Sequence, residues 1–574
     1  MFNQLPDSAG QFAEQFMGWG WEQIEPFYQD LIERPLGNEN LAGWLEEWTK
    51  IAELASEMYA RLNVAVTINT EDQAAEGQYN RYLDQIHPKV QASDQRLKEK
   101  LLESGLRPAG FETPLRKMQA EASIYHSENL PLLSEERKMA SEYNKIIGAQ
   151  TISWEGEELT LQQLRRVFQT DDRRIRQRAW RLASGRQLAD REKINQLWGR
   201  MLSLRIQLAQ NTGLPDYRAY RWQQMLRLDY TPEDCILFQQ AIEQVVVPAA
   251  SRLYEKHRQR LGVESLRPWD LDQDLYPLDL PPLPPYGATD ELPAKAEAVF
   301  ARVDVQLSQQ FHTLREQNLL DLDNRKGKAP GAYCTAFPVA KQPFLFMNAV
   351  GLSSDVRTIL HESGHAFHNF ERFNLPYFQQ RLPGLEFAEV ASMAMELLAS
   401  PFLAEEPQAF YSPANARCFR LQLLEHILFF WPYMAVVDAF QHWVYTHSDL
   451  AKNPAYCDAK WFELWQRFLP GVDWSGLEEQ AMSGWHRKQH IHRYPFYYVE
   501  YGMAQLGAVQ IWRNALRDPQ DALARYRQAL RLGGTASLPE LYQTAGARFV
   551  FDRGTLDEAV RLLEQSIHQL ETES

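Results

Sequence analysis

One run of residues, 353–371, constrains this 574-residue chain more than any other. Apolar side chains recur in it at helical spacing, so it predicts a helix with one buried side and possible N-caps at 353–355. His361 and His365 lie four residues apart and share one face, where two imidazoles can bind one metal ion. Glu362 lies one residue further round, where its carboxylate can meet a water bound to that ion. The apolar positions are Val356, Ile359, Leu360, Ala366, Phe367 and Phe370.

The five residues from His361 to His365 form the H-E-x-x-H arrangement of zinc peptidases. The plainer alternative is a helix with two surface histidines and a solvated glutamate. A catalytic zinc usually takes three protein ligands and leaves a fourth position for water, so the metal hypothesis needs a third ligand. The metzincin continuation is excluded, because it requires glycine where His368 stands and histidine where Glu371 stands.

Acidic residues downstream are the remaining candidates for the third ligand. Residues 385–399 form a second helical pattern that carries Glu386, Glu389 and Glu396. Three carboxylates on an otherwise apolar helix are costly to bury unless a cation or hydrogen-bond donors meet them. This pattern is typical of a helix that supplies a metal ligand.

Three stretches of the chain carry a resemblance to a known family. They are Thr358-Ile-Leu-His-Glu-Ser-Gly-His-Ala-Phe-His368, Glu389-Val-Ala-Ser392 followed by Glu396, and Pro495-Phe-Tyr-Tyr-Val-Glu-Tyr501. Together they resemble the oligoendopeptidase F and thimet oligopeptidase family of zinc metallopeptidases, and the oligoendopeptidase F branch more closely. Weaker resemblance extends over most of the chain from about residue 150.

The resemblance implies a ligand set, a base and a substrate class. One zinc ion per chain would be bound by His361, His365 and Glu389, with Glu362 as the general base. Glu386 is the alternative third ligand. If Glu389 is the ligand, Glu386 and Glu396 would orient a ligand histidine. The expected activity is a metalloendopeptidase acting on oligopeptides. A zinc carboxypeptidase of similar helical fold and a non-catalytic peptide-binding scaffold are the alternatives.

The same resemblance implies a mainly α-helical, two-lobed, zincin-type fold. A small β-sheet would lie beside the zinc helix, and a deep channel would admit short peptides and exclude folded proteins. Residues 319–350 have the character of that sheet. Residues 331–333 or 344–348 would be the edge that binds a peptide by strand addition, and a sheet without substrate contact is the alternative.

Residues 485–501 concentrate three histidines and four tyrosines. Amide hydrolysis requires stabilisation of an oxyanion, for which a tyrosine hydroxyl or a histidine N–H is a suitable donor. The resemblance implies a histidine and tyrosines that close over the metal, matched here by His490, Tyr497, Tyr498 and Tyr501. Aromatic core packing is the alternative for at least two of these tyrosines.

Helical patterns dominate the rest of the chain. Long helices are predicted over 11–62, 72–104, 231–261 and 413–447, a hairpin around Glu155-Gly156, and a proline-rich loop over 267–287. We expect an N-terminal helical region over 1–150 and a catalytic region over 151–574, with zinc helices at about 353–373 and 385–400. Isolated histidines such as His442 are expected to be packed or surface residues.

Composition limits the partners and the compartment. The net charge of −15 argues against nucleic acid and anionic membranes, which both require basic patches. The longest apolar run, 427–437, is too short to span a bilayer. Four cysteines without C-x-x-C spacing are expected to be core thiols, and no secretory signal is visible, so we expect a cytoplasmic protein. Both a monomer and a homodimer are compatible with the sequence.

Overall fold

The computed structural model describes residues 1–6, 10, 12, 15–161, 163–271, 284–325, 327–329, 331–404 and 408–573. Helices predominate in it and the sheets are small, which confirms the predicted mainly α-helical fold. The longer helices are Trp21–Glu33, Leu41–Ile68, Gln73–Arg81, His87–Glu103, Glu112–Ile124, Asn129–Gly148, Arg173–Ala189, Arg191–Asn211, Tyr217–Gln224, Pro232–Ala241, Val247–Arg260, Glu291–Val303, Val305–Glu316, Ser353–Arg372, Leu385–Ala399, Pro413–Thr446, Pro454–Phe468, Tyr498–Ala515, Pro519–Leu532, Leu538–Thr544 and Arg553–Thr572. Shorter helices are Arg165–Phe168, Ser448–Ala451, Glu478–Met482 and Gln489–His492.

The chain divides into two compact units, each built from three segments. The first unit comprises Met1–Ser123, Pro282–Phe419 and Gly507–Phe549, and the second comprises Ile124–Pro281, Arg420–Leu506 and Val550–Ser574. The predicted boundary near residue 150 stays a prediction. Most of the predicted proline-rich loop, residues 272–283, lies outside the described residues.

Prolines modify three of the predicted long helices. The helix predicted over 11–62 is interrupted between Glu33 and Leu41, where Pro35 and Gly37 disfavour helical backbone, and residues 11, 13 and 14 lie outside the described chain. The other two helices continue through π-turns, Tyr82–Ile86 and Ile242–Val246. Pro88 follows the first π-turn and Pro248 follows the second. Proline lacks an N–H and crowds the carbonyl group in the preceding turn, so the helix changes its hydrogen-bond pattern just before each proline.

Two small sheets interrupt the helices. Strands β1 (Thr151–Trp154) and β2 (Glu157–Thr160) form the predicted hairpin, with positive φ angles at Glu155 and Gly156 in the turn. Strands β3 (Leu320–Asp323), β4 (Tyr333–Phe337) and β5 (Gln342–Ala349) form the sheet that precedes the Ser353–Arg372 helix. Their order is β3-β5-β4, with β5 parallel to β3 and antiparallel to β4. The prediction that 344–348 is a sheet edge is therefore wrong, whereas β4 is an edge among the described strands.

A buried carboxylate holds the turn between β4 and β5. Glu57, on helix Leu41–Ile68, accepts hydrogen bonds from the backbone N–H groups of Val339 at 2.7 Å and Ala340 at 3.1 Å. Its other oxygen accepts a hydrogen bond from Arg61 at 2.8 Å, and the Arg61 guanidinium lies over the Phe337 ring. These contacts fix the edge strand β4 against a helix of the same unit.

The helix Pro413–Thr446 is much longer than the apolar run at 427–437 that signals it in the sequence. By length and composition it is the one helix of the described chain that is capable of crossing a membrane, and 72% of its most apolar window is buried inside the protein. Core helices of soluble proteins meet the same criterion, so the helix is weak support for a membrane span.

Candidate metal centre

An acidic side chain fixes the start of the helix Ser353–Arg372, here called the His-pair helix. None of residues 353–355 is its N-cap; Leu352 occupies that position. Asp355, in the first turn, accepts hydrogen bonds from the backbone N–H groups of Val350, Gly351 and Leu352 at 2.7–2.9 Å. A carboxylate in the first turn is also favoured by the helix dipole. The start of the helix is therefore fixed immediately after β5.

The two histidines face one carboxylate of the neighbouring helix. Nε2 of His361 lies 3.4 Å from Oε2 of Glu389, and Nε2 of His365 lies 3.6 Å from the same oxygen. A tetrahedral site with ligand bonds of about 2.1 Å has ligand–ligand edges of about 3.4 Å, so the three atoms are spaced for one zinc-sized ion. Glu386, the rival third ligand, is not part of this group of potential ligand atoms.

A glycine brings the two helices close together. A Cβ atom on Gly364 would lie 2.6 Å from the carbonyl oxygen of Ala391 and 2.6 Å from the Cα of Ser392. Both atoms belong to the backbone of helix Leu385–Ala399, here called the Glu389 helix, so no side-chain movement relieves such a contact. The spacing of the ligand group therefore depends on the absence of a side chain at position 364.

Replacement of this glycine tests that dependence. We expect Gly364→Ala to push the two helices apart, to weaken metal binding and to destabilise the fold by about 1–3 kcal/mol, the usual cost of overpacking. Thermal unfolding and zinc competition with a chromophoric chelator measure both effects. Gly199→Ala is the matched control, because Gly199 is also helical and a Cβ there meets nothing within 4 Å. Equal metal affinity in the two variants contradicts the prediction.

Hydrogen bonds from a third helix, Pro519–Leu532, hold both helices. The Tyr526 hydroxyl donates to the carbonyl oxygen of Ala391 at 2.7 Å. Glu371, nearly fully buried, accepts from Arg527 at 2.7 and 3.0 Å and from Arg531 at 2.7 Å. Two arginines compensate the burial of this carboxylate, which would otherwise be costly. Residues far downstream thus fix both the His-pair helix and the Glu389 helix.

Glu396 sets the orientation of His361. The Nδ1 atom of His361 lies 2.7 Å from Oε1 of Glu396, which favours a proton on Nδ1 and leaves Nε2 facing Glu389. Burial lowers the pKa of His361, but the hydrogen bonds to Glu389 and Glu396 outweigh it and raise the pKa well above its usual value. Burial lowers the pKa of His365 to about 4.

These pKa shifts predict a pH-dependent metal affinity. Below its raised pKa, His361 is protonated in the metal-free protein, so a metal ion must displace that proton. We expect the apparent zinc affinity to rise by up to about tenfold per pH unit from the usual histidine pKa, about 6.5, towards the raised pKa of His361. Chelator competition across this range measures the slope.

Glu396→Gln is the matched variant for this slope. It removes one of the two carboxylates that stabilise the imidazolium form of His361, so the affinity should depend less steeply on pH. It should also bind zinc about 10–100-fold more weakly near neutral pH, as expected when the partner of a ligand is lost. A pH-independent affinity in the wild-type protein contradicts the prediction.

Glu362 lies in the same buried region. One carboxylate oxygen, Oε2, is buried and has no hydrogen-bond partner within the described ranges. Burial is the main cause that raises the pKa of Glu362 to about 7; Glu389 and Glu396 raise it further and His361 opposes them. A divalent cation nearby would stabilise the ionised form and lower this pKa again. Without a cation, Glu362 therefore exchanges a proton near neutral pH.

The predicted oxyanion residues form one aromatic cluster in the second unit. The His490 ring lies 4.8 Å from the ring of Tyr498, 5.9 Å from that of Tyr501 and 6.1 Å from that of Tyr497. Lys488 places its Nζ atom 3.5 Å from the centre of the Tyr498 ring. Their role above the metal stays a prediction.

The turn before these tyrosines is strained and held by buried groups. Phe496 has a φ angle of 63°, which is unfavourable for a bulky residue. Its N–H donates to Gln441 at 2.7 Å and its carbonyl accepts from Arg227, which also pairs with Glu500 at 2.8 Å. The fully buried Phe496 ring and these bonds fix where the helix of the tyrosines begins.

Sequence reasoning missed several residues of this centre. It gave no role to Gly364, or to Ser392, whose hydroxyl lies 3.2 Å from Oε2 of Glu389. Cys334 on β4 was expected to be a core thiol, yet it lies close enough to Glu362 for the carboxylate to raise the pKa of the thiol, after the larger effect of burial. The glycine within the motif and the serine within the Glu389-Val-Ala-Ser392 match were the only local signals.

Comparison with known proteins places this centre in a family. The model of "Peptidase family M3" matches residues 167–560, and that of "Peptidase M3 N-terminal domain" matches residues 16–113. The chain belongs to peptidase family M3. The resemblance to oligoendopeptidase F is thereby confirmed, since relatives of that name also match the chain.

The oligopeptidases that match the chain are distant in sequence. The chromosomal oligoendopeptidase F of Lactococcus lactis subsp. cremoris is 24% identical over 339 residues, which is 57% of this chain and 52% of that protein. Oligopeptidase PepF of Bacillus subtilis strain 168 is 22% identical over 264 residues, 45% of this chain and 37% of that one. The chain thus matches little more than half the length of the first of these curated relatives.

Solved peptidase structures match the chain over nearly its full length. PZ peptidase A, solved with an inhibitor, has a TM-score of 0.89 and 26% identity and covers 97% of this chain and 99% of its own. Oligoendopeptidase-F from Enterococcus faecium has a TM-score of 0.61 at 14% identity, covers 100% of this chain and 99% of its own, and supports the fold alone.

Proposed function

We propose that this chain is a zinc metalloendopeptidase that hydrolyses internal peptide bonds of short oligopeptides. The observation that carries the proposal is that the ligand atoms of His361, His365 and Glu389 lie close together, next in sequence to the buried Glu362, whose Oε2 atom has no hydrogen-bond partner among the described residues. Membership of peptidase family M3 and the oligopeptidase names of the relatives support the reaction and the substrate class.

The residues present fit one zinc ion. Two imidazoles and one carboxylate are a common donor set of catalytic zinc sites, and the spacing of their ligand atoms corresponds to a tetrahedral ion. When bound, zinc acidifies water and polarises the scissile carbonyl group. Glu396 would hold His361 in the tautomer that presents Nε2 to the ion.

Glu362 would act as the general base and then as the general acid. A carboxylate whose proton exchanges near neutral pH suits both steps, since the proton taken from water must later reach the leaving amine. Burial keeps bulk water from competing for that proton. His490 or one of Tyr497, Tyr498 and Tyr501 would donate a hydrogen bond to the oxyanion, as the family resemblance implies.

The edge strand β4 is the proposed binding site for the substrate backbone. It carries Cys334, the residue close to Glu362, so a peptide paired with β4 would pass beside the base. In an antiparallel pair, alternate backbone groups of an edge strand point away from its neighbour and are available to a further strand. The peptide would add to β4 on the side opposite β5.

An internally quenched peptide with a blocked C-terminus tests the proposal. We expect cleavage between internal residues, loss of activity with a zinc chelator, and recovery with added zinc. A carboxypeptidase would not cleave the blocked peptide, and a peptide-binding scaffold would bind it without cleaving it. Either result contradicts an endopeptidase. We also propose a cytoplasmic location, which cell fractionation with an antibody against the chain would test.

A further inference from the structure

A second group of potential metal ligands lies in the second unit, apart from the residues of the proposed active site. Cys235 on helix Pro232–Ala241 faces Asp438 and His442 on helix Pro413–Thr446. The ligand atoms of these three side chains lie within 4.8 Å of one another, and all three residues are buried. Asp438 and His442 are four residues apart on one helical face, the same spacing as His361 and His365.

Several polar atoms of this group lack the hydrogen bonds that burial normally demands. In the described part of the chain, neither ring nitrogen of His442 has a hydrogen-bond partner, and Oδ1 of Asp438 has none either. Nε2 of His442 comes within 3.4 Å of Oδ2 of Asp438, but not with hydrogen-bond geometry. The other Asp438 oxygen accepts from Gln239 at 2.7 Å. Buried polar atoms left unsatisfied are uncommon and indicate a missing partner.

Charge and ligand type identify that partner. A thiolate, a carboxylate and a neutral imidazole together carry two negative charges, so a divalent cation would make the buried group neutral. Sulfur, nitrogen and carboxylate ligands together suit zinc, whereas calcium and magnesium prefer oxygen ligands. Gln239, four residues after Cys235, would orient the carboxylate ligand through its hydrogen bond.

We propose that Cys235, Asp438 and His442 bind a second, structural zinc-type ion. Full burial of Cys235 and Asp438 leaves no approach for a peptide, so the site would stabilise the fold and take no direct part in catalysis. Because its ligands come from two helices, the ion would be incorporated as the unit folds, with release of the Cys235 proton.

The position of His442 would allow the bound ion to stabilise a neighbouring turn. The His442 ring packs against the ring of Phe496 at a centre-to-centre distance of 5.2 Å and against that of Trp222 at 5.8 Å. Phe496 is the strained residue directly before Tyr497 and Tyr498. Metal ligation would immobilise the His442 ring and so support the turn from which the tyrosine cluster extends.

Cobalt substitution tests the proposal in the full-length protein. Thiolate ligation of Co²⁺ produces a charge-transfer absorption in the near ultraviolet, which the sulfur-free set of His361, His365 and Glu389 cannot produce. We expect cobalt-loaded wild-type protein to show this absorption and to bind a second equivalent of metal. The absorption should persist in Glu389→Gln, where the first site is damaged.

Single-residue variants identify the cysteine that supplies the thiolate ligand. Cys235→Ser should lose the absorption and one equivalent of metal, whereas Cys457→Ser should keep both, since Cys457 is equally buried in the same unit but outside the group. Cys334→Ser should also keep both, which excludes the thiol near Glu362. His442→Phe, which suits the aromatic surroundings, is the second ligand variant if Cys235→Ser does not fold, and it should lose one equivalent. No thiolate absorption in the wild-type protein, or its loss in Cys334→Ser alone, overturns the proposal.

Discussion

Glu362→Gln should abolish peptide cleavage while zinc binding persists. The substitution keeps the size of the side chain but removes the group that would accept a proton, and general-base catalysis typically contributes about 10²–10⁴-fold to the rate. We therefore expect kcat to fall by about that factor. Glu362 is not one of the three ligand residues, so zinc content should remain near that of the wild-type protein.

Two measurements on one preparation separate catalysis from metal loss. Cleavage of a quenched peptide gives kcat, and zinc analysis of the same sample gives the metal content. Glu255→Gln, the same substitution at an exposed glutamate on helix Val247–Arg260, should retain both. Near-wild-type turnover by Glu362→Gln would eliminate Glu362 as the base, and loss of zinc would place it among the ligands.

Glu389→Gln should produce the other large effect, a loss of metal. The substitution removes the negative charge of the only carboxylate that faces both His361 and His365 among the described residues. We expect zinc affinity to fall by more than the roughly 10–100-fold typical of residues that merely orient a ligand. Chelator competition measures the affinity, and peptide cleavage should be lost at limiting zinc.

Glu386→Gln is the matched comparison for that variant. Glu386 lies on the same helix and is as buried as Glu389, but it is outside the group of ligand atoms. The zinc affinity of Glu386→Gln should be at most about 10–100-fold lower than the wild-type affinity. Normal zinc binding by Glu389→Gln together with metal loss in Glu386→Gln would exchange the roles of the two residues.

The parts of this protein that sequence could predict are local. The i,i+4 histidine pair follows from helical periodicity alone, and the observed His-pair helix, Ser353–Arg372, lies within one residue of the predicted bounds. The hairpin at Glu155-Gly156 also follows from short-range signals. Choosing Glu389 over Glu386 required the family resemblance, because both carboxylates fit the pattern of a ligand helix.

The missed features all depend on residues distant in the chain. Nothing near Gly364 shows that the backbone of Ala391 approaches it, and nothing near Glu371 identifies Arg527 as its partner. Likewise, β5 is the central strand because β3 pairs with it as a parallel strand on the side opposite β4. His442 is predicted to be a packed or surface residue and it is buried, but its proximity to Cys235 depends on a helix that lies far from it in the sequence.

The hydrogen bond from Tyr526 to Ala391 and the pairing of Glu371 with Arg527 bear on when the candidate metal centre forms during synthesis. All three candidate zinc ligands leave the ribosome long before residues 526 and 527 are translated. Until then the two ligand helices lack the partners that fix their spacing. A nascent chain would therefore carry every candidate ligand without a finished centre until the helix Pro519–Leu532 has been synthesised.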